Sequence, residues 1–333
     1  MNTASPIVSV LLPIRNGAKT INRAIDSIIK QSLHDWELIV VDDGSEDATP
    51  ALLQDYSDTR VRVLSQPPLG IVAALNRAAA AASAPYIARM DADDWSAPGR
   101  LEKQLRYLNE RSNRALVSCL VAHEGAHDQE GYRHHVNRIN TLLSHEQMAA
   151  RRFEDAPVAH PSVMMRKSVF DAVGGYREGD FPEDFELWLR MLDAGYRFAK
   201  LPEVLLHWQD HADRLSRSDE RYSQEAFFHQ KALYFKRWHA REAPGTPLWI
   251  CGSGRLVNQR IRLLEEAGLP IAGQVDVKKP DAGDPRNIIA YEALQPATHP
   301  LLLSLIGDRK GKQRLEAFAR QRGYVEGKDF WFL

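Results

Sequence analysis

Apolar runs alternate with amphipathic stretches over the first hundred residues. Ile7-Val8-Ser9-Val10-Leu11-Leu12 is apolar almost throughout and stops at Pro13, which predicts a buried strand. Arg15-Asn16-Gly17 signals a turn. Ile21, Ala24, Ile25, Ile28 and Ile29 then recur at helical spacing on one face. Residues 37–41 read as a second strand ending in Asp42-Asp43-Gly44-Ser45, with a helix over about 48–56. Residues 60–64 read as a third strand with more alternation. Gly70 opens an Ala-rich helix to about Ala82, and residues 86–90 form a fourth strand. Strands separated by helices predict βαβ units, a parallel sheet and right-handed crossovers.

The pattern continues less regularly. Residues 100–108 form an amphipathic helix with Leu101, Leu105 and Leu108 on one side, and residues 116–121 a strand. Residues 123–145 are polar without a clear period and read as a loop. His123, His127, His134, His135 and His145 fall there at spacings that fit no compact zinc site. Residues 159–167 read as a strand, and Gly174-Gly175-Tyr176 as a flexible turn. A helix starts at Pro182 and ends at Gly195. Residues 223–241 form a long helix with Ala226, Phe227, Ala232, Leu233, Phe235 and Trp238 apolar. Ala243-Pro244-Gly245-Thr246-Pro247 is the best domain boundary. A second βαβ pattern follows: strand 248–251, turn Gly252-Ser253-Gly254-Arg255, helix 256–267, strand 271–276, strand 301–306 and helix 310–323. Gly252, Gly254 and Asp276 match part of a dinucleotide fingerprint, but Val257 stands where its third glycine belongs. The predicted fold is α/β: a mostly parallel sheet with flanking helices, plus a smaller Rossmann-like C-terminal domain. The predicted division is 1–218, a helical linker 219–244, and 245–333.

A chain of 333 residues accommodates one large and one small domain. A formal net charge of −1 provides no global field for nucleic acid. Cys119 and Cys251 are far apart and the only cysteines, which predicts no disulfide framework and a reducing compartment. The start carries no basic region, so no signal peptide is expected. No apolar run approaches the roughly 20 residues that span a bilayer. These features predict a cytoplasmic protein, at most peripheral to the inner face of a membrane.

The candidate chemistry gathers where strands end, which is where open α/β sheets bind ligands. Met90-Asp91-Ala92-Asp93-Asp94-Trp95 places three carboxylates after the fourth strand. Asp91 and Asp93 project to the same side of an extended segment. Hard oxygen ligands suit Mg2+ or Mn2+, with water and phosphate completing the shell. Asp42 and Asp43 lie on the same sheet edge and suit hydrogen bonds from a base or ribose. The same acids also serve as ordinary turn and helix-capping residues, so both readings stand on this evidence alone. Glu183, Asp184 and Glu186 occupy a first helical turn, where the helix dipole favours acids by about 0.3–1 kcal/mol.

Pro13-Ile14-Arg15-Asn16-Gly17, Val41-Asp42-Asp43-Gly44-Ser45 and Met90-Asp91-Ala92-Asp93-Asp94 together resemble the three landmarks of family 2 glycosyltransferases with a GT-A fold. The resemblance implies an inverting, metal-dependent transferase that takes a nucleotide-diphosphate sugar, by default a UDP-sugar. It implies that Asp43 reads the base, that Asp91 contacts the ribose or metal, and that Asp93 is the chief metal ligand. Pro13, Arg15 and Asn16 would line the nucleotide pocket, and His160 would donate to the diphosphate. Asp184 matches the general-base position, and the 123–145 segment would lie near the acceptor. His211 matches a histidine that completes the metal shell. Gln209 stands where arginine is usual, so Arg214 or Arg217 would replace that positive contact. The Gln-x-x-Arg-Trp box and membrane helices of processive members are missing, which favours transfer of a single sugar. The acceptor would be a glycan or a lipid-linked precursor in surface polysaccharide or glycolipid assembly.

Two rivals remain at this level. A nucleotidyltransferase shares an acidic metal site, but it would want a Gly-rich, Lys/Arg-bearing loop after the first strand, where only Arg15-Asn16-Gly17 stands. A non-catalytic nucleotide-sugar-binding module would keep the donor site without turnover.

Overall fold

A computed structural model describes residues 5–125, 130–211, 214–276, 288–294 and 300–333. The chain divides into two compact units. Met1–His145 with Pro157–Asp219 make the first, and Glu146–Ala156 with Glu220–Leu333 make the second. No helix among the described residues is long and apolar enough to cross a membrane.

The first unit is built on an eight-stranded sheet. Its strands are β1 (Val8–Ile14), β2 (Trp36–Asp43), β3 (Val61–Gln66), β4 (Tyr86–Arg89), β5 (Trp95–Ser96), β6 (Leu116–Glu124), β7 (Met164–Arg166) and β8 (Phe198–Gln209). They lie in the order β3-β2-β1-β4-β7-β6-β8-β5. β1 to β4 pair in parallel, as the alternation of strands and helices predicts. β1 and β2 are buried along their whole length, which explains their nearly continuous apolar sequence. β3 is an edge strand and is mostly exposed or half-buried. Helix Ile21–Ile29 buries Ile21, Ala24, Ile25 and Ile28.

The sheet is mixed rather than all parallel. β7 runs antiparallel to both β4 and β6, and β5 runs antiparallel to β8. Two local expectations are also corrected. Residues 159–167 are not one strand: His160–Ser162 is a 3-10 turn, and only Met164–Arg166 joins the sheet. Pro161 has no N–H to give a ladder, which favours the turn. Residues 123–145 are not a loop throughout, because Glu130–Thr141 is a helix with Val136 and Ile139 buried. Two buried positions three apart are too thin a stripe to read from sequence. His127 lies outside the described residues. His123 faces Asp210, and His145 accepts from the Phe198 N–H.

The second unit carries β9 (Leu248–Cys251), β10 (Ile271–Asp276), β11 (Ile288–Ala290), β12 (Leu301–Ser304) and β13 (Phe330–Phe332). All pair in parallel in the order β11-β10-β9-β12-β13. Numbered within the unit this is 3-2-1-4-5, the order of a doubly wound sheet. Helix Gln224–Glu242 belongs to this unit and not to a separate linker. Its aromatic residues explain why: Phe235 packs on Phe153 at 5.4 Å and Trp238 on Trp331 at 4.5 Å. Phe153 brings its own segment, Glu146–Ala156, into the unit.

Candidate active site at the carboxyl end of the first sheet

β1 and β2 end side by side, with Ile14 opposite Asp42, so their loops emerge together. Those loops are tied across. The Asn16 N–H donates to Ser45 Oγ at 2.9 Å, and Asn16 Oδ1 accepts from the Glu46 N–H at 2.8 Å. Gly17 and Ala18 donate to Thr49 Oγ1 and Asp47 Oδ2. Asn16 adopts φ 55°, a left-handed conformation that asparagine tolerates better than most residues. Pro13 is buried within β1, whereas Arg15 and Asn16 are exposed on the turn.

Asp43 is 4% exposed and holds the next loop. Its Oδ1 accepts from Gln66 Nε2 at 2.7 Å and the Leu69 N–H at 2.9 Å, while Oδ2 accepts from the Gly70 N–H at 2.8 Å. Asp42 Oδ1 accepts from the Ser45 N–H and closes the turn. Gly44 sits at φ +71°, and a Cβ there would meet Pro68 at 2.8 Å. Asp43 therefore braces the 66–70 loop first. The second lone pair of Oδ2 is what remains to it for a ligand.

Beyond β4 the acids converge. Ligand oxygens of Asp91, Asp93 and Asp94 all lie within 4.8 Å of one another. Arg89, buried in β4, donates to Asp91 Oδ1 at 2.6 Å. Arg100 is also buried and donates to the Arg89 and Pro161 carbonyls; burial pushes its guanidinium down to about 10. Burial alone would raise Asp91, but the charges of Arg89 and Arg214 hold it below the usual carboxylate range. Asp94 is fully buried. Its Oδ1 accepts from the Gln209 N–H at 2.9 Å, and its Oδ2 has no hydrogen-bond partner among the described residues. Burial, with Asp93 beside it, pushes this carboxyl well up.

The residues present fit a hard divalent cation. His211 Nε2 stands 2.9 Å from Asp93 Oδ2. Two adjacent ligands of an octahedral ion with bonds of about 2.1 Å are separated by about 3 Å. Asp94 lies in the same cluster, and its Oδ2 has no hydrogen-bond partner among the described residues. Carboxylate oxygens with one imidazole suit Mn2+ or Mg2+.

Helix Glu183–Asp193 starts after Pro182 and carries Asp184 in its first turn, half-buried, with Oδ1 accepting from the Phe185 N–H. Glu186 is committed elsewhere: it binds Arg190 at 2.7 Å, and Arg190 in turn grips the Val173 and Gly175 carbonyls. Tyr176 is clamped by Asn76, whose side chain bonds both its N–H and its carbonyl. Burial pushes the Tyr176 hydroxyl up, Arg89 opposes this, and Glu183, Asp184 and Asp91 add to the rise. These three carboxylates thus lie within electrostatic reach of one phenol, in the surroundings of Arg89.

His160 has a different setting from the one the motif suggests. It is buried, its Nε2 is 2.7 Å from the Tyr176 hydroxyl, and burial and Arg89 hold it neutral by pushing its pKa well down. Of the two candidate arginines, Arg214 faces all three acids at 3.6–3.9 Å. Arg217 instead binds both oxygens of Asp210, at 2.7 and 2.9 Å. Arg89, Asn76 and Tyr176 were not singled out from sequence. An arginine inside an otherwise apolar strand, one turn before an acidic cluster, was the signal available for Arg89.

Known proteins resemble this chain in sequence and in fold. The model of glycosyl transferase family 2 matches residues 9–174, a span that holds all three acid-bearing or turn-forming loops. The putative glycosyltransferase EpsE of Bacillus subtilis (strain 168) is 33% identical over 227 residues, covering 66% of this chain and 79% of its own. The O-antigen biosynthesis glycosyltransferase WbnJ of Escherichia coli is 32% identical over 239 residues, covering 69% and 90%. Among solved structures, S. aureus TarS 1-349 superposes with a TM-score of 0.52 at 17% identity, over 72% of this chain and 73% of that one, a likeness of fold. With motifs in order, a mixed GT-A sheet beneath them and relatives matched over most of their length, this chain belongs to glycosyl transferase family 2.

Proposed function

We propose that the protein transfers a single sugar, with inversion, from a nucleotide-diphosphate sugar to a hydroxyl acceptor. A UDP-sugar is the default donor. The observation that carries this reading is the clustering of Asp91 and Asp93, with His211 Nε2 2.9 Å from Asp93 Oδ2 and Asp184 in the electrostatic neighbourhood of Asp91. Asp93, Asp91 and His211 are the residues that would hold Mn2+ or Mg2+. Such an ion offsets charge that develops on a leaving diphosphate. Arg15, Asn16 and Asp43 frame the nucleotide side, with Pro13 beneath. Asp184 takes the proton from the acceptor hydroxyl as its oxygen attacks the sugar's anomeric carbon, and the nucleoside diphosphate departs from the opposite face. His160, neutral and bonded to Tyr176, positions the floor between these groups in preference to touching the diphosphate.

The first unit is the catalytic body in this reading, and the second an accessory one. Relatives named for O-antigen, amylovoran and teichuronic acid biosynthesis support an acceptor in surface polysaccharide assembly. The test is donor turnover by the purified protein, screened across nucleotide sugars with Mn2+ or Mg2+. Release of nucleoside diphosphate that vanishes in both Asp93→Ala and Asp184→Asn supports the reading. Release of pyrophosphate from a nucleoside triphosphate would point to nucleotidyl transfer instead, and tight donor binding without turnover to a binding module.

A further inference from the structure

Arg214 occupies an unusual position. Its Nη1 is 3.6 Å from Asp93 Oδ2 and 3.9 Å from Asp94 Oδ1, and its Nη2 is 3.8 Å from Asp91 Oδ2. It lies near all three carboxylates, and each of these separations exceeds hydrogen-bond length. The guanidinium is anchored elsewhere: Nη1 donates to the Gln209 carbonyl at 2.6 Å, and its carbon lies 4.7 Å from the Trp208 ring. The side chain is 9% exposed. A buried cation is therefore suspended over the triad and is also bound to the segment that carries His211.

We propose that Arg214 is the resident countercharge of the acid triad and makes entry of the divalent ion depend on arrival of a diphosphate. This rests on the metal and donor assignments made above and goes beyond them. An ion seated between Asp93 and His211 meets a like charge only a few ångströms away, on a guanidinium that is itself only 9% exposed. That repulsion weakens the bare protein's hold on the ion. A diphosphate removes the conflict, because its oxygens can face the ion on one side and the planar guanidinium fork on the other. The coupling is reciprocal: whatever the diphosphate adds to ion affinity, the ion adds to diphosphate affinity. Arg217 cannot take over, since Asp210 holds it by both carboxylate oxygens.

The experiment measures Mn2+ binding to the purified full chain by electron paramagnetic resonance, alone and with saturating UDP or GDP. Arg214→Gln should bind Mn2+ alone about tenfold more tightly than wild type, or better, and gain less from the nucleotide. Arg214→Lys keeps the charge and loses the fork. It should bind Mn2+ alone as weakly as wild type and bind UDP or GDP more weakly in the presence of Mn2+. Circular dichroism checks that each variant is folded. If Arg214→Gln does not fold, Arg214→Lys decides, and nucleotide affinity equal to wild type overturns the proposal. Unchanged Mn2+ affinity in folded Arg214→Gln also overturns it and leaves the functional reading standing. No Mn2+ binding by wild type under any of these conditions brings down both.

Discussion

His211 Nε2 lies 2.9 Å from Asp93 Oδ2 although 118 residues separate them along the chain. The segment after β8 delivers the histidine and the loop after β4 delivers the acid, so the contact exists only because the sheet brings these loops to one edge. If the pair holds an ion, removing either side chain should weaken Mn2+ binding by more than the roughly 10–100-fold seen for groups that merely orient ligands. Dialysis against a chelator should stop turnover, and Mn2+ or Mg2+ should restore it. Full activity in chelator would contradict the assignment.

Asp184→Asn removes a base but keeps the shape of the first helical turn. It should lower kcat by roughly 10²–10⁴-fold and leave donor affinity nearly unchanged. Steady-state kinetics with donor binding measured separately checks both halves. A comparable loss of donor affinity would reassign Asp184 to binding.

Asp43 accepts three hydrogen bonds from the 66–70 loop while buried. Asp43→Ala leaves those donors without their acceptor and should destabilise the first unit by about 2–4 kcal/mol. Asp43→Asn retains one carbonyl oxygen and should cost less. Denaturant unfolding ranks the two, and equal stability of Asp43→Ala and wild type would remove the bracing role.

Gly44 combines φ +71° with a Cβ direction that runs into Pro68. Gly44→Ala carries about 1–2 kcal/mol for the left-handed conformation, and the clash adds to it. Because this turn joins Asp43 to Ser45, nucleotide affinity should fall with stability. A melting-temperature series with and without UDP or GDP tests the coupling.

Lys200 supplies a pH signature. It is buried, donates to the Ile139 and Pro157 carbonyls, and burial pushes its amine down to about 7. An unfolded lysine titrates near 10.4. Between these values the unfolded chain binds more protons than the folded one, so this residue's contribution to stability rises with pH above about 7. The difference in unfolding free energy between wild type and Lys200→Met should grow in favour of wild type from pH 7 to 8.5, with a slope approaching about 1.4 kcal/mol per unit. Cys119, raised to about 11 by burial nearby, stays protonated in the folded state over this window. A flat difference would show that Lys200 keeps its ordinary pKa.

What could be read directly were features that local chemistry fixes. Continuous apolar runs at 7–12 and 37–41 specify strands buried on both faces, and Ile21, Ala24, Ile25 and Ile28 specify a helix with one buried side. Three ordered motifs carried the family and the GT-A fold, because they sit at strand ends whatever the exact register. The sequence reads β7 as part of a longer strand over 159–167, and β5 escaped notice, since a strand of two residues has too little periodicity to register. So did the membership of Phe153 and helix Gln224–Glu242 in one aromatic core, a contact between distant segments.

The sequence by itself determined where acids, turns and apolar faces fall, because side-chain type and spacing set those locally. Only the tertiary structure decided how each group is used. It bonded His160 to Tyr176, committed Glu186 to Arg190 and Arg217 to Asp210, and left Arg214 over the triad. The reason is physical: a charged side chain's role depends on which opposite charge or dipole packing brings within a few ångströms, and such partners come from one helical turn away, as for Glu186 and Arg190, or from distant segments, as for Arg214 and Asp93.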